Sequence, residues 1–255
     1  MAEWLGRQMR RARQGLRSAL TAVGGRGAVE RHVALLEERV RALEQRMYNR
    51  RWAAIEEMAD YLVGAQVEGD YCEFGVFQGD TFAYACNVFA QSTYLGAMRC
   101  FAFDSFQGLP EPSGIDVSDG FASNFSRGQF ACSREEFEGN LRSRGVEMAR
   151  VGVVEGWFKD ILNDDAAARL GLGKVAAAWI DGDLYESTVP ILAFLTPRIS
   201  VGTILLFDDW RVFRNLPDRG EQRACQEWLE ANPRLSLREI FSFGHHGAAF
   251  TVASC

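Results

Sequence analysis

Five short apolar runs beyond residue 70 constrain the fold of this chain most strongly. They read YCEFGVF, CFAFDSF, ARVGVVEG, KVAAAWID and GTILLFDD, and they begin at residues 71, 100, 149, 174 and 202. Helical stretches such as 79–91 and 187–196 lie between several of them. Near-continuous apolar strands that alternate with helices are typical of a parallel sheet covered on both faces.

The end of the chain shows a different pattern. LSLREIFSF and GAAFTVAS lie on either side of a turn at GHHG, residues 244–247. These two runs predict a closing antiparallel pair of strands. Together the seven runs predict an α/β fold with a doubly wound, mostly parallel seven-stranded sheet, preceded by an N-terminal helical arm.

The arm differs from the rest of the chain in charge and periodicity. Residues 1–52 carry 12 arginines and five glutamates, although the whole chain has a formal net charge of −6. We predict a helix over 3–23, a break at GGRG (24–27), a second helix, and a third helix near 52–66. The second helix has an a/d heptad pattern shorter than three heptads, so it can form a coiled coil or pack as an amphipathic helix on its own domain. The heptads lead us to expect a homo-oligomer. The apolar positions of this helix are Val29, Val33, Leu36, Val40, Leu43 and Met47.

The basic arm leaves several interpretations open. Such a helix can contact nucleic acid, an anionic membrane surface or an acidic partner, but a solvated helix face is the commoner case. We therefore expect no nucleic-acid partner. No apolar stretch reaches 18 residues, and the first 20 residues lack the apolar core of a secretory signal. The six cysteines form no CxxC pair, which favours reduced thiols in a cytoplasmic protein without an integral membrane segment.

A turn that contains two glycines follows the first strand. Glu73, Gly75 and Gly79 lie in EFGVFQGD, at a carboxyl strand end, where open α/β sheets bind ligands. The GxGxxG pattern of dinucleotide-binding proteins is absent, which favours a ligand without phosphates, such as S-adenosylmethionine (SAM). Asp104 closes the second strand and is favoured as a ribose ligand over a turn cap. Trp157, after the third strand, is a candidate for stacking on adenine or for the core.

Two pairs of aspartates follow the fourth and fifth strands. Asp181 and Asp183 belong to WIDGDLYES, and Asp208 and Asp209 belong to LLFDDW. Like charges at the ends of buried strands repel one another, so a divalent cation is the simplest compensation. Carboxylate oxygens suit Mg²⁺, Ca²⁺ or Mn²⁺ rather than zinc. The alternative, that one or two of the aspartates cap helices, does not explain both pairs.

Several separated motifs together resemble one protein family. EFGVFQGDTF, FDSFQGLPEP, EGWFKD, WIDGDLYEST and LLFDDW occur in the order of the macrocin O-methyltransferase family, over about residues 50–255. This family includes sugar-modifying enzymes of macrolide and aminocoumarin antibiotic pathways. The resemblance implies a class I, Rossmann-like, SAM-dependent methyltransferase that uses Mg²⁺, and the layout is similar to catechol O-methyltransferase. Trp210 departs from the pattern, because a tyrosine more often follows the aspartate pair.

The resemblance also implies roles for individual residues. Asp183 would be the general base, and Asp181, Asp208 and Asp209 would hold Mg²⁺. Residues 51–255 would form the methyltransferase domain, with a lid around 105–149, and residues 1–50 the basic arm. The residues expected to bind the cofactor are Glu73, Gly75, Gly79, Asp104, Ser105, Gly156, Trp157 and Asp181.

The expected function is therefore Mg²⁺-dependent methylation of a hydroxyl on a sugar or glycosylated natural product. One alternative is an O-methyltransferase that acts on a catechol-like or other small-molecule hydroxyl, since the lid rather than the metal site would decide the acceptor. The second alternative is a non-catalytic scaffold with a methyltransferase fold, because a fold alone does not establish a function.

Overall fold

A computed structural model describes residues 26–117 and 125–255. The chain divides into two compact units, Met1–Arg50 and Arg51–Cys255. In the first unit, the described part is helical, and the helix α1 spans Arg26–Gly64 across the division. The predicted helix over 3–23 lies outside the described residues.

The second unit is built on one seven-stranded sheet with the order β3-β2-β1-β4-β5-β7-β6. The first five strands are parallel, and β7 is antiparallel to both of its neighbours, β5 and β6. This arrangement confirms the predicted doubly wound, mostly parallel sheet and its closing antiparallel pair. The strands are β1 (Asp70–Phe74), β2 (Cys100–Asp104), β3 (Val151–Glu155), β4 (Val175–Ile180), β5 (Ile204–Phe207), β6 (Ser236–Phe243) and β7 (Gly247–Ser254).

Helices cover both faces of the sheet, which explains why the parallel strands are almost uniformly apolar. Every residue of β4 is buried. One core cluster packs α1, α2 and α3 against the sheet, and a second packs α5, α6 and α7 against the other face. The helices after α1 are α2 (Asp80–Gln91), α3 (Arg134–Ser143), α4 (Phe158–Ile161), α5 (Asp164–Leu170), α6 (Tyr185–Leu195) and α7 (Gly220–Ala231).

One helix prediction was wrong in extent, and one helix of the structure was not predicted. The second and third helices of the arm are one continuous helix, because the residues between the predicted ends include neither glycine nor proline to stop it. The helix α3 lies inside the segment 105–149, and its Phe137 and Leu141 are fully buried in the core. A capping box marks its start in the sequence: Ser133 accepts a hydrogen bond from the backbone N–H of Glu136 at 3.1 Å.

All six cysteines are described, and they are thiols. Within residues 26–117 and 125–255, no helix is both long and apolar enough to cross a membrane.

Candidate functional site

The turn after β1 places backbone at the carboxyl edge of the sheet. Gly75 has φ 87°, and a Cβ atom there would lie 2.0 Å from the carbonyl oxygen of Asp181. Gly79 has φ 81° at the start of α2, and a Cβ there would lie 2.8 Å from the ring of Phe137. Both positions therefore require glycine for backbone conformation and for close packing. The end of β1 and the end of β4 are in direct contact.

The Asp104 carboxylate holds this turn in place. Its Oδ2 accepts hydrogen bonds from the backbone N–H groups of Val76 at 2.8 Å and Phe77 at 3.1 Å. Its Oδ1 accepts one from the N–H of Phe106 at 2.7 Å. Burial raises the pKa of Asp104 from its usual value, although these backbone donors oppose the shift. A carboxylate offers about four lone-pair sites, so a ligand hydroxyl would share the Asp104 carboxylate with these backbone donors.

The other predicted cofactor residues line the same edge. The Ser105 hydroxyl donates to the carbonyl of Gly108 at 2.9 Å, so its side chain is already bonded within a turn. Gly156 has φ 145° and accommodates Ile161, whose Cγ2 would lie 2.4 Å from an added Cβ. Trp157 is partly exposed at the start of α4.

Glu73 is a buried acid inside β1. The hydroxyl of Tyr71 donates a hydrogen bond of 2.5 Å to its Oε2. Burial raises the pKa of Glu73 to about 8, while the Tyr71 hydrogen bond and the Arg51 charge lower it. The side chain is therefore mostly protonated at neutral pH in the absence of a cationic ligand.

Parallel pairing of β4 with β5 brings the aspartates together. Ile180 pairs with Phe207, and the N–H of Asp208 donates to the carbonyl of Ile180 at 2.9 Å. One carboxylate oxygen from each of Asp181, Asp208 and Asp209 lies within 4.8 Å of the others. Three convergent carboxylates form an oxygen donor set of the kind that Mg²⁺ or Mn²⁺ takes. The residues present thus fit the divalent ion that the sequence predicts.

Asp183 lies beside this triad in an unusual backbone conformation. Its φ is 57°, in the left-handed region. Burial raises its pKa well above the usual value, and the charges of Asp209 and Asp181 add to the shift. Burial and the neighbouring charge of Asp208 also raise the pKa of Asp181, although Arg51 opposes the increase. A strained backbone and a perturbed acid at one position are typical of a functional site.

Comparison with known proteins identifies the family of this chain. Residues 35–230, about three quarters of the chain, match the family described as Macrocin-O-methyltransferase (TylF). This chain belongs to the macrocin O-methyltransferase family. The first and fifth apolar runs and the aspartate motifs all lie within the matched residues.

Two curated relatives of this family member come from Streptomyces. The 8-demethyl-8-(2,3-dimethoxy-alpha-L-rhamnosyl)-tetracenomycin-C 4'-O-methyltransferase of Streptomyces olivaceus is 34% identical over 149 residues, which cover 57% of this chain and 54% of the relative. The demethyldecarbamoylnovobiocin O-methyltransferase of Streptomyces niveus is 31% identical over 165 residues, which cover 61% and 58%. The chain thus spans only somewhat more than half the length of these relatives.

Solved structures show the same fold. The O-methyltransferase NovP superposes with a TM-score of 0.64 at 24% identity, covering 79% of each chain. The calicheamicin methyltransferase CalS11 superposes with a TM-score of 0.63 at 22% identity, covering 78% of this chain and 77% of its own. The sheet is that of the class I O-methyltransferases.

Two charged residues that no sequence motif predicts also lie at the aspartates. Arg51, in α1, forms an ion pair and hydrogen bond with Asp208. Glu221, at the start of α7, accepts a hydrogen bond from the backbone N–H of Asp209 at 3.1 Å through Oε2. Its Oε1 is buried and has no hydrogen-bond partner among the described residues. Neither residue belongs to a recognisable motif, and only tertiary packing brings them to the site.

A third residue connects the segment after β2 to the helix that follows Asp183. Asp116 is buried, and its carboxylate accepts hydrogen bonds from the N–H groups of Tyr185 at 2.9 Å and Glu186 at 3.3 Å. Leu184, at the N-cap of α6, provides no side-chain cap. Asp116 therefore caps α6 from 69 residues away. The predicted lid includes residues 118–124, which lie outside the described part.

Proposed function

We propose that this protein transfers a methyl group from SAM to a hydroxyl of a sugar or glycosylated natural product, with Mg²⁺ bound at the aspartate triad. The observation that carries the proposal is the convergence of Asp181, Asp208 and Asp209 beside Asp183, at the same sheet edge as the Gly75 turn. Membership of the macrocin O-methyltransferase family supports the reaction class.

The names of the relatives favour a sugar as the acceptor. The Streptomyces olivaceus relative is named for a rhamnosyl tetracenomycin, and a third relative is a mycinamicin III 3''-O-methyltransferase from Micromonospora griseorubida. Because the chain covers little more than half of these proteins, the acceptor is proposed from their names together with the site. The lid was predicted around 105–149, and Phe137 and Leu141 of α3 within that segment are buried in the core. We therefore propose that the part of the segment before α3, which includes Asp116, covers the acceptor.

Each predicted site residue at this sheet edge would contact a different part of SAM. Glu73 and Gly75 would contact the methionine part of SAM, with Gly79 in the same turn. Asp104 would accept the ribose hydroxyls, with Ser105 beside it, and Gly156 and Trp157 would border the adenine. These assignments place the methyl donor near Asp181, because the Gly75 backbone contacts the Asp181 carbonyl.

Asp183 would take the proton from the acceptor hydroxyl. A divalent ion held by Asp181, Asp208 and Asp209 would supply positive charge that lowers the pKa of a bound hydroxyl. Asp183 lies within two residues of Asp181. Burial is the main cause that raises the pKa of Asp183, and the charges of Asp209 and Asp181 add to the shift, so its carboxylate is a stronger base than an exposed one. Alignment and deprotonation are the main contributions that such a site can make to methyl transfer.

Titration calorimetry with S-adenosylhomocysteine (SAH), the product of SAM after transfer, tests the proposed cofactor binding. We expect clear binding with Mg²⁺ and also with EDTA, since none of the proposed nucleoside contacts needs a metal. Failure to bind under both conditions would contradict the SAM assignment and favour a scaffold. Turnover measured with and without EDTA then tests the metal requirement.

Substitution of Asp183 tests the proposed base. Asp183→Asn should lower kcat by at least about a hundredfold, because general-base catalysis contributes about 10²–10⁴-fold. SAH affinity should stay unchanged. The control is Asp165→Asn, which alters an exposed aspartate in α5. A near wild-type rate in Asp183→Asn would refute the base assignment.

A panel of vicinal diols tests the acceptor class. Deoxysugars, nucleotide sugars and glycosylated macrolides would be compared with catechols under the same conditions. We expect methylation of a sugar-containing member. Preference for catechols would replace the sugar proposal with the phenolic alternative.

A further inference from the structure

The backbone at Arg51 is fixed by packing in the second unit. From Arg51 onward, α1 contributes Ile55, Met58 and Leu62 to the core, and all three side chains are fully buried. The ring of Trp52 stacks on Tyr84 with 5.0 Å between centroids. The side chain of Arg51 is therefore held at the aspartates by a firmly placed helix, and it is 24% exposed.

The Arg51 guanidinium contacts two carboxylates of the triad. It donates a hydrogen bond to Oδ2 of Asp208 and lies 3.8 Å from Oδ2 of Asp181. Burial alone would lower the pKa of Arg51, but Asp208, Asp181 and Asp209 together raise it above its usual value. The guanidinium thus stays charged and compensates part of the negative charge that the three carboxylates concentrate.

We propose that Arg51 is an internal counter-ion that competes with the divalent cation for the Asp181–Asp208–Asp209 triad. The inference rests on the proposed metal site and goes beyond it, because it makes Arg51 the residue that sets metal affinity. The guanidinium lies against oxygens of two of the three carboxylates that would hold a divalent ion. Two cations this close repel strongly in a partly buried site, where the effective dielectric constant is low. Metal binding would therefore require the guanidinium to leave Asp208.

If Arg51 competes with the metal ion, metal affinity should depend on the charge of the side chain at position 51 rather than on its size. Arg51→Met and Arg51→Gln remove the charge, and we expect them to tighten the Kd for Mn²⁺ at least tenfold. Arg51→Lys keeps the charge and should stay within about threefold of wild type. The matched control is Arg99→Met, which breaks another specific ion pair, with Asp70 at the opposite end of β1. This control should leave the Mn²⁺ affinity unchanged.

Mn²⁺ titration of the full chain, followed by calorimetry and by the electron paramagnetic resonance signal of free Mn²⁺, measures these constants without turnover. Thermal unfolding gives a second readout. In EDTA, both neutral variants should unfold at a lower temperature than wild type, because the carboxylates lose their counter-ion. Saturating Mn²⁺ should then raise their Tm by more than it raises that of wild type.

The outcomes separate the two proposals. If wild type binds Mn²⁺ and neither neutral variant binds more tightly, the role of Arg51 is refuted while the metal site stands. Tight binding in the neutral variants alone would support the competition in its strongest form. Absence of binding in wild type and in both neutral variants would refute the metal site and the role of Arg51 together.

Discussion

Glu73 provides a sharp test of the cofactor site, because its ionisation should change when the ligand binds. In the ligand-free protein its pKa is about 8, against an ordinary value of 4.5. The ammonium group of SAH, placed beside this carboxyl, would favour the ionised form and return the pKa towards its ordinary value. Binding should therefore release a proton from Glu73.

The number of protons released follows from the two pKa values. If the pKa falls from about 8 to about 4.5, binding releases about one proton at pH 6, about 0.9 at pH 7 and about 0.5 at pH 8.

The stability of the ligand-free protein has a matching pH dependence. A raised folded-state pKa means that Glu73 stabilises the fold fully below about pH 4.5, and that this contribution is lost as the pH rises through about 8.

Calorimetric titration of SAH in buffers of different ionisation enthalpy measures the released protons directly. The experiment is done in EDTA, so that no metal charge alters the titration. The slope of observed enthalpy against buffer enthalpy should correspond to about 0.9 protons at pH 7, and Glu73→Gln should reduce it to nearly zero. A flat plot for wild type, or an unchanged slope in Glu73→Gln, would refute the placement of the ammonium beside Glu73.

Two further predictions concern residues that the structure adds to the site. Burial raises the pKa of Glu221 well above its usual value, so ionising it at high pH destabilises the fold. Glu221→Gln in EDTA should therefore raise the free energy of unfolding by about 1–3 kcal/mol at pH 9 and little at pH 5. Chemical denaturation at both pH values measures this, with the exposed Glu230→Gln on the same helix as control, and an effect that does not depend on pH would contradict it. Asp116→Ala should lower the free energy of unfolding by about 1 kcal/mol and hasten protease cleavage within 105–133, because the cap of α6 is lost. Asp116→Asn should largely retain the cap. Equal cleavage of wild type and Asp116→Ala would contradict the proposed anchor.

The sheet could be predicted from sequence because its physical signal is local. A strand buried on both faces must be apolar at nearly every position, so the runs that contain β1 to β5 were recognisable one by one. The order of the strands could not be read from these runs individually, and their arrangement as a doubly wound sheet came from the alternation with helices. The helix α3 was missed because a long polar segment obscured a short amphipathic helix, although the Ser133–Glu136 capping box was present.

The candidate site was predictable only where a strand end carried its residues. Asp181 and Asp208 follow adjacent strands, so the rule for parallel sheets predicted their approach. Arg51 and Glu221 reach the same place from α1 and α7, more than 150 residues apart in the chain. Such contacts depend on how helices pack over the sheet, and no local pattern records them. The assigned roles of Glu73, Asp104, Ser105, Gly156 and Trp157 in cofactor binding stay predictions.

The contact between Gly75 and the Asp181 carbonyl has a consequence for engineering. Main-chain atoms at this contact, rather than adjustable side chains, connect the proposed donor turn to the first residue of the triad. If donor and acceptor bind as proposed, the spacing between the methyl group and the acceptor hydroxyl is set by the framework, whereas residues 105–113 and 125–133 lie in loops. Under the proposed function, exchange of these loop residues is expected to change the range of acceptors without changing the reaction distance. A substitution at Gly75 would do the reverse, changing the distance for every acceptor at once.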